Sequence, residues 1–464
     1  MLAALLLAAA GIAGVACAEE VPREPPPLDQ LFFPTGAALS SDGTVLLVTS
    51  GNFDLRYRSG VLHAFDVAAL DRLADEADGE PCPGTADCAP PRNADIGSAL
   101  VDSTEIGDFA GQLGLGSVGG LDRAFIPLRG SDTVLAVDVA PGSADGDVLR
   151  CVRQNDERCL GASFPRRDPF SVAVLEGNVY VGHIGRDGDD DPIGLIGAAR
   201  ADDDALWREG DGEFARIGLG EQPAGGIAAG ACRDEAEGRT CTLFATARTL
   251  EQGFNPVFLF DFRAGELRTS PVFSLNVFGQ QRGLDTRGVA VSSDGNAIFV
   301  AERFPDALAT IDVSRTGEQR FDGCVVPSGE QLPPEGSCPP GPVPLGGEEP
   351  RFVTADLVPV PEGPNAVFVI PRTLPGGGTS DLVVVTNDDG LYFVDTRTGL
   401  ASGAVENIGI APAAVAVRPN GTGARLYVPS FGEGTLAVID LPDLFRPSSA
   451  EVVAILGNSQ EGAL

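Results

Sequence analysis

Lysine is absent. All 32 basic residues are arginine, set against 66 acidic residues. No Schiff-base lysine and no phosphate-gripping P-loop lysine is therefore available. Histidine is nearly as scarce: His63 and His183 are the only two, too few for a histidine-rich copper or iron centre. No Gly-x-Ser-x-Gly elbow occurs, and no Gly-x-Gly-x-x-Gly follows a strand and opens a helix. Long helical patterns are missing as well. The formal charge of -34 repels phosphates, so no nucleic-acid partner is expected. What is present is a 43% hydrophobic fraction with 60 glycines and 36 prolines. That composition buries a core and turns often, unlike a disordered acidic chain.

The nine cysteines divide into one and eight. Cys17 ends an apolar N-terminal stretch. The others form local pairs: Cys82 with Cys88, Cys151 with Cys159, Cys232 with Cys241, Cys324 with Cys338. Each pair lies in a Gly-, Pro- or charge-rich stretch between strand-like runs. Free cysteines favour apolar surroundings, so this placement reads as four loop disulfides in an exported protein. C-x-x-C spacing is lacking, which argues against structural zinc.

Residues 2–16 carry no charge. The run is too short to span a bilayer, which takes about 20 apolar residues, and it has the character of a signal-peptide core. Gly14-Val15-Ala16-Cys17 resembles the lipobox of bacterial lipoproteins, with Gly14 where leucine is usual. The resemblance implies a diacylated Cys17 as mature N-terminus; a non-lipidated signal peptide cut near Ala16 or Ala18 is the alternative. Ala18, rather than Asp, follows the cysteine, which in such lipoproteins implies the outer membrane. The expected organisation is a signal peptide over 1–16, a Pro-rich lipid-anchored tether over 17–33, and one domain over 34–464.

That domain is repetitive. Thr286–Ser314 and Pro412–Pro442 share one plan: a short apolar strand (GVAVS, AVAVR), a Gly turn (SDG, PNG), a second strand (AIFVA, RLYVP), a loop, and a third strand ending in Ile-Asp. Period-2 alternation packs a sheet face, and Gly supplies the positive φ of tight hairpins. The plan recurs at 34–67, 117–139, 169–198, 223–262 and 365–396. These residues resemble the YVTN-type β-propeller repeat, Pro-x-Gly-Val-Ala-Val, Asp-Gly, Tyr-Val, Ile-Asp. The resemblance implies an all-β, seven-bladed propeller with four-stranded blades, six or eight blades being the alternatives. Disulfide-pinned loop insertions are expected at about 68–116 and 315–362. Either residues 450–456 or residues 28–33 supply the outer strand that closes the ring.

Candidate chemistry is sparse. His63 sits inside a strand pattern and reads as a packed or surface residue. His183 ends the strand VYVGH and is the better site candidate. Asp187, Asp189 and Asp191 have the alternate spacing of a Ca²⁺ loop. Pro192 replaces the required glycine and Ala198 the twelfth-position glutamate, which leaves a weak Ca²⁺ site or a solvated loop. No other cofactor is expected. The repeat register places Arg56, Arg58, Arg129, Arg166, Arg167, Arg186, Arg248, Arg282, Arg287 and Arg303 in loops on one face. Two readings stay open. The arginines form an anion-binding funnel, or each pairs with a nearby acid such as Asp54, Asp168, Asp187, Asp285, Glu302 or Asp306.

The expected function is an exported, lipid-anchored binding or scaffold module of the cell envelope. Its partners are the membrane, through the lipid, and an envelope protein or small anionic ligand. One alternative is a lactonase-like or quinone-dependent dehydrogenase enzyme seeded by His183, Glu302 and Arg303. Another is a passive adhesive protein.

Overall fold

A computed structural model describes residues 23–84, 88–142, 147–155, 158–164, 168–184, 195–209, 215–218, 223–235, 238–247, 256–263, 273–276, 284–313 and 354–458. Cys17, Arg166, Arg167, Arg186, Asp187, Asp189, Asp191, Arg248, Arg282, Cys324 and Cys338 lie outside these residues.

The described strands fall into seven sheets whose four main strands pair antiparallel, and together they make an all-β propeller. Sheet 1 starts with Pro34–Leu39, Val45–Ser50 and Gly60–Asp66 and ends with Leu100–Ile106. Sheet 2 runs from Gly114–Val118 to Leu149–Cys151, sheet 3 from Pro169–Leu175 to Ala215–Gly218, and sheet 4 from Ala224–Glu235 to Phe273–Asn276. Sheet 5 runs from Leu284–Val291 to Thr354–Pro359, sheet 6 from Val367–Thr373 to Leu400–Glu406, and sheet 7 from Ala416–Asn420 to Glu451–Leu456. Within each, consecutive strands pair in sequence order.

Side-chain alternation explains the ring. In Val45–Ser50, Leu46 and Val48 pack toward sheet 7, while Val45 and Leu47 pack toward sheet 2. In Thr379–Thr386, Leu382 and Val384 face sheet 7, and Val383 and Val385 face sheet 5. Both faces of a strand are thus buried, so it reads as an unbroken apolar run (VLLV, LVVV) rather than a half-polar one. Separate apolar cores fill the junctions 1–2, 2–3, 3–4, 4–5, 5–6 and 6–7, and another joins sheet 7 back to sheet 1.

The repeated turn has a side-chain cause. In Ser40-Ser41-Asp42-Gly43, Ser40 Oγ donates to Asp42 Oδ1 at 2.6 Å and accepts from Val45 N at 3.0 Å. Ser292, Asp294 and Ala297 repeat this arrangement. Gly43 and Gly295 take φ of 70° and 72°, which only glycine adopts without strain. The glycine at the third position of an inner-strand entry (Pro34-Thr35-Gly36, Thr286-Arg287-Gly288) has a different reason. A Cβ on Gly36 would lie 2.8 Å from Leu113 N, and one on Gly288 2.7 Å from Asn365 O. The innermost strands approach too closely there for any side chain.

Ring closure is settled by register. Glu451–Leu456 pairs with Thr435–Leu441 as the outer strand of sheet 7; residues 28–33 do not supply it. The stretch 68–116 is only partly loop. It holds helix α1 (Val67–Asp75), the outer strand of sheet 1 and the first residues of sheet 2. Asp66 caps α1 by accepting from Ala69 N at 2.6 Å. Val67, Leu70, Leu73 and Ala74 of α1 pack into the core between sheets 7 and 1. Beyond α1, Cys82–Pro83 pairs antiparallel with Glu451–Val452, and Arg92–Asn93 pairs parallel with Ile455–Leu456. An excursion from sheet 1 therefore grips the outer edge of sheet 7.

Cys82–Cys88, Cys151–Cys159 and Cys232–Cys241 are disulfides. They fit an oxidising, non-cytoplasmic compartment. Cys82–Cys88 closes the excursion that holds sheet 7. Cys151–Cys159 closes a loop from sheet 2 whose Arg158 lies in parallel register with Glu105, on the outer strand of sheet 1. Cys232 and Cys241 are direct cross-strand partners in sheet 4.

Candidate functional site at the axial mouth

Each sheet begins near the axis, and the chain must turn sharply to get there. Where the entry is described, for six of the seven sheets, a residue in the left-handed region makes that turn: Phe33 (φ 45°), Phe109 (55°), Asp168 (59°), Asp285 (61°), Gly363 (78°) and Ala411 (53°). Two residues later stand Thr35, Gly111, Phe170, Arg287, Asn365 and Ala413. All of these but Arg287 line a cavity of about 210 Å³ at the mouth of the central channel, with Phe53, Gln112, Arg129 and Phe431 completing its wall. Contributions therefore come from sheets 1, 2, 3, 6 and 7.

The wall is aromatic on one side. Phe53 meets Phe431 at 5.1 Å and Phe109 at 5.2 Å between ring centroids, both edge to face, and Phe33 backs Phe431 at 5.4 Å. Such edge contacts fix the rings and add to their burial energy. Polar groups share the wall. Gln112 Nε2 donates to Ala413 O at 3.4 Å, tying sheet 2 to sheet 7 across the mouth. Arg129 grips Asp168 through both Nε and Nη2, the Nη2–Oδ2 bond being 3.1 Å. Its guanidinium also lies 5.8 Å from the Phe170 ring centroid. An apolar wall with a few fixed polar groups is the usual make-up of a small-ligand site.

The arginines read from the sequence are, where described, ion-paired. Arg56 pairs with Asp54 at 3.1 Å, Arg287 with Asp285 at 2.5 Å, and Arg129 with Asp168. Arg58 pairs with Glu105. Arg303 reaches Asp388 at 3.1 Å and the carbonyls of Gly363 and Pro364; its partner is neither Glu302 nor Asp306. Glu105 takes a second contact from Arg158 at 3.3 Å. Burial opposes its ionisation, but the bonds from Arg58 and Ser59 win and its pKa lies below the ordinary carboxylate value.

His183 and Glu302 occupy corresponding places, each opposite the first residues of its inner strand. Both are fully buried. They belong to sheets 3 and 5, with sheet 4 between them, so they do not form one cluster. His63 is also fully buried. Its Nε2 lies 3.1 Å from Ser50 Oγ, and its ring stacks on Phe65. Burial lowers its pKa to about 3, against a hydrogen bond with the Leu28 backbone, so the imidazole is neutral. Glu176, Cys232 and Cys241 lie close enough to hold a metal ion, but both sulfurs are in a disulfide. No thiolate is available there.

A second, larger cavity of about 750 Å³ lies between the sheet-1 excursion and sheets 6 and 7, with Arg92, Tyr392, Glu406 and Glu433 in its wall. Sequence reasoning missed the mouth aromatics, although a signal was present. FFP, GNF, DFA, DPF, RFP and SFG each place a phenylalanine in a turn-rich segment, where polar residues are usual, and all of these segments lie on the mouth-bearing face.

No family model matches this chain, and no curated protein does. Among solved structures, Kuenenia stuttgartiensis hydrazine synthase superposes over 92% of this chain and 99% of its own, at TM-score 0.50 and 12% identity. The WD40 β-propeller domain of Doa1 covers 94% of this chain and 96% of its own, at TM-score 0.44 and 10% identity. At such identities the first likeness speaks for the fold alone. No helix among the described residues is long and apolar enough to cross a membrane.

Proposed function

We propose that this chain is an exported, lipid-anchored binding module of the cell envelope, and that its ligand enters the axial mouth. Each of the seven sheets is one blade, of the kind the YVTN-type repeat implies. The observation that carries the reading is the mouth itself. Phe53, Phe170 and Phe431 offer apolar contact there, while Gln112, Asn365 and Thr35 offer neutral hydrogen-bonding groups. The guanidinium of Arg129 is already matched by Asp168. These groups suit a small, largely neutral ligand with one apolar face, such as a sugar ring or an amino-acid side chain, better than a bare anion. Lipid anchoring is supported by the apolar run that ends at Cys17 and by disulfides that require an oxidising compartment.

The test is a thermal-shift screen with monosaccharides, free amino acids and short carboxylates. Gln112→Trp fills the mouth from an exposed position. At least one sugar or amino acid should raise the Tm of the wild type and leave that of Q112W unchanged. A compound that stabilises both equally, or no response across the panel, counts against the mouth.

A further inference from the structure

The chain leaves the fold at a particular place. Arg23 Nη1 pairs with Asp108 Oδ2 at 3.0 Å, next to Phe109. Glu24 bridges in parallel to Tyr57, and its carbonyl accepts from Arg58 N at 2.8 Å. Asp108 and Tyr57 both belong to loops on the mouth-bearing face. The N-terminal segment is therefore pinned to that face before it turns inward at Phe33.

Chain length then limits where a lipid on Cys17 can be. Cys17 and Arg23 are six positions apart, and whatever path those residues take they span at most about 22 Å. The outer strand of sheet 1, Leu100–Ile106, has seven residues and is itself about 24 Å long at roughly 3.4 Å per residue. A tether that ran down the outside of the ring would be used up before it cleared the opposite face. Nothing would remain to reach a bilayer beyond it.

Apolar side chains on the mouth-bearing face fit this geometry. Phe304 is 57% exposed, Ile410 47% and Leu55 37%. Phe304 ends the second strand of sheet 5, Leu55 projects from the loop joining the second and third strands of sheet 1, and Ile410 from the loop entering sheet 7. Aromatic and aliphatic groups of this kind sit well in the interfacial layer of a membrane. The protein's net charge of -34 would be repelled by anionic lipid, so the matching surface is zwitterionic.

We propose that the mouth-bearing face lies against the bilayer that holds the Cys17 lipid, with Phe304, Ile410 and Leu55 in its interfacial layer. The proposal rests on the reading that Cys17 is lipidated. It makes the mouth a site that samples the membrane surface rather than bulk solvent.

The test uses the full lipidated chain in phosphatidylcholine vesicles, with or without brominated acyl chains. Phe304→Trp and Ile410→Trp place a reporter on the mouth-bearing face. Leu121→Trp places one at the turn between Gly114–Val118 and Leu121–Leu128, on the opposite face. The native Trp207 is buried and common to all three. Flotation of wild type but not of Cys17→Ala establishes the anchor. Brominated lipid should then quench F304W and I410W and spare L121W. Flotation with L121W quenched as strongly as the others, or with none quenched, overturns the orientation while the anchor stands. A wild type that does not float overturns the anchor and the orientation together.

Discussion

At the scale of single residues, two polar groups, one fully buried and one half-buried, carry separable predictions. His63 is neutral when folded, with a pKa near 3 because burial disfavours its charged form. An unfolded histidine titrates near 6.5. The folded value is depressed, so the unfolded chain binds the proton more tightly. Stability from this group is complete above about pH 6.5 and falls as pH drops toward 3. Between pH 7 and 4.5 the loss should be about 2–3 kcal/mol. Denaturant unfolding of wild type and His63→Gln at the two pH values checks it: the variant should lose less by about that amount, and equal losses would contradict the assignment. Asp71 is the second group. It accepts from Tyr427 Oη at 2.6 Å, Arg418 at 2.5 Å and Arg425 at 3.1 Å. Asp71→Asn leaves those guanidinium groups short of a counter-charge and should cost about 2–4 kcal/mol. Asp202→Asn, which breaks the exposed pair with Arg200, should cost less than about 1 kcal/mol.

Neither role could be read from sequence, for different reasons. GVLHAFDV placed His63 on a strand but not its burial, which depends on Leu28 and Ser50 arriving from elsewhere. Asp71 bonds residues some 350 positions away, beyond the reach of any local pattern. The mouth phenylalanines were in plain view but are single residues in separate turns, and only the ring brings them together.

At the scale of elements, the described disulfides were legible because their partners are close in sequence. What they hold was not. The Cys82–Cys88 loop joins the outer edges of two sheets: Gly84 N donates to Ala450 O, just before the outer strand of sheet 7, and Glu406 N of sheet 6 donates to Gly84 O. Helix α1 escaped notice because nine residues make too short a window for a periodic signal. Replacing Cys82 and Cys88 by serine should cost about 2 kcal/mol, from the entropy of so small a loop. It should also speed amide exchange at Glu406, Ile455 and Gly457, which donate to Gly84, Pro91 and Asn93 of the excursion. Exchange that changes evenly around the ring would show that the loop is no clasp.

At the scale of the whole molecule, repetition was the readable signal. The Ser-x-Asp-Gly turn recurs in sheets 1 and 5, where it closes the same tight hairpin, and a glycine recurs at the entry to those sheets, where the innermost strands approach closely. Ring closure was not readable. Residues 28–33 and 450–456 are both apolar enough to be strands, and only pairing with Thr435–Leu441 decides between them. The result is a ring whose last sheet is complete in itself and is held to the first by α1 and the excursion. The cavity at its axis draws on five sheets, so an intact ring is a condition for the site. The most direct measurement is hydrogen–deuterium exchange with the most stabilising compound of the thermal-shift panel bound. Protection should rise at Gly111, Gln112, Phe170 and Asn365. Protection confined to the Arg92–Tyr392 cavity, or to turns on the opposite face, would contradict the assignment of the mouth as the binding site.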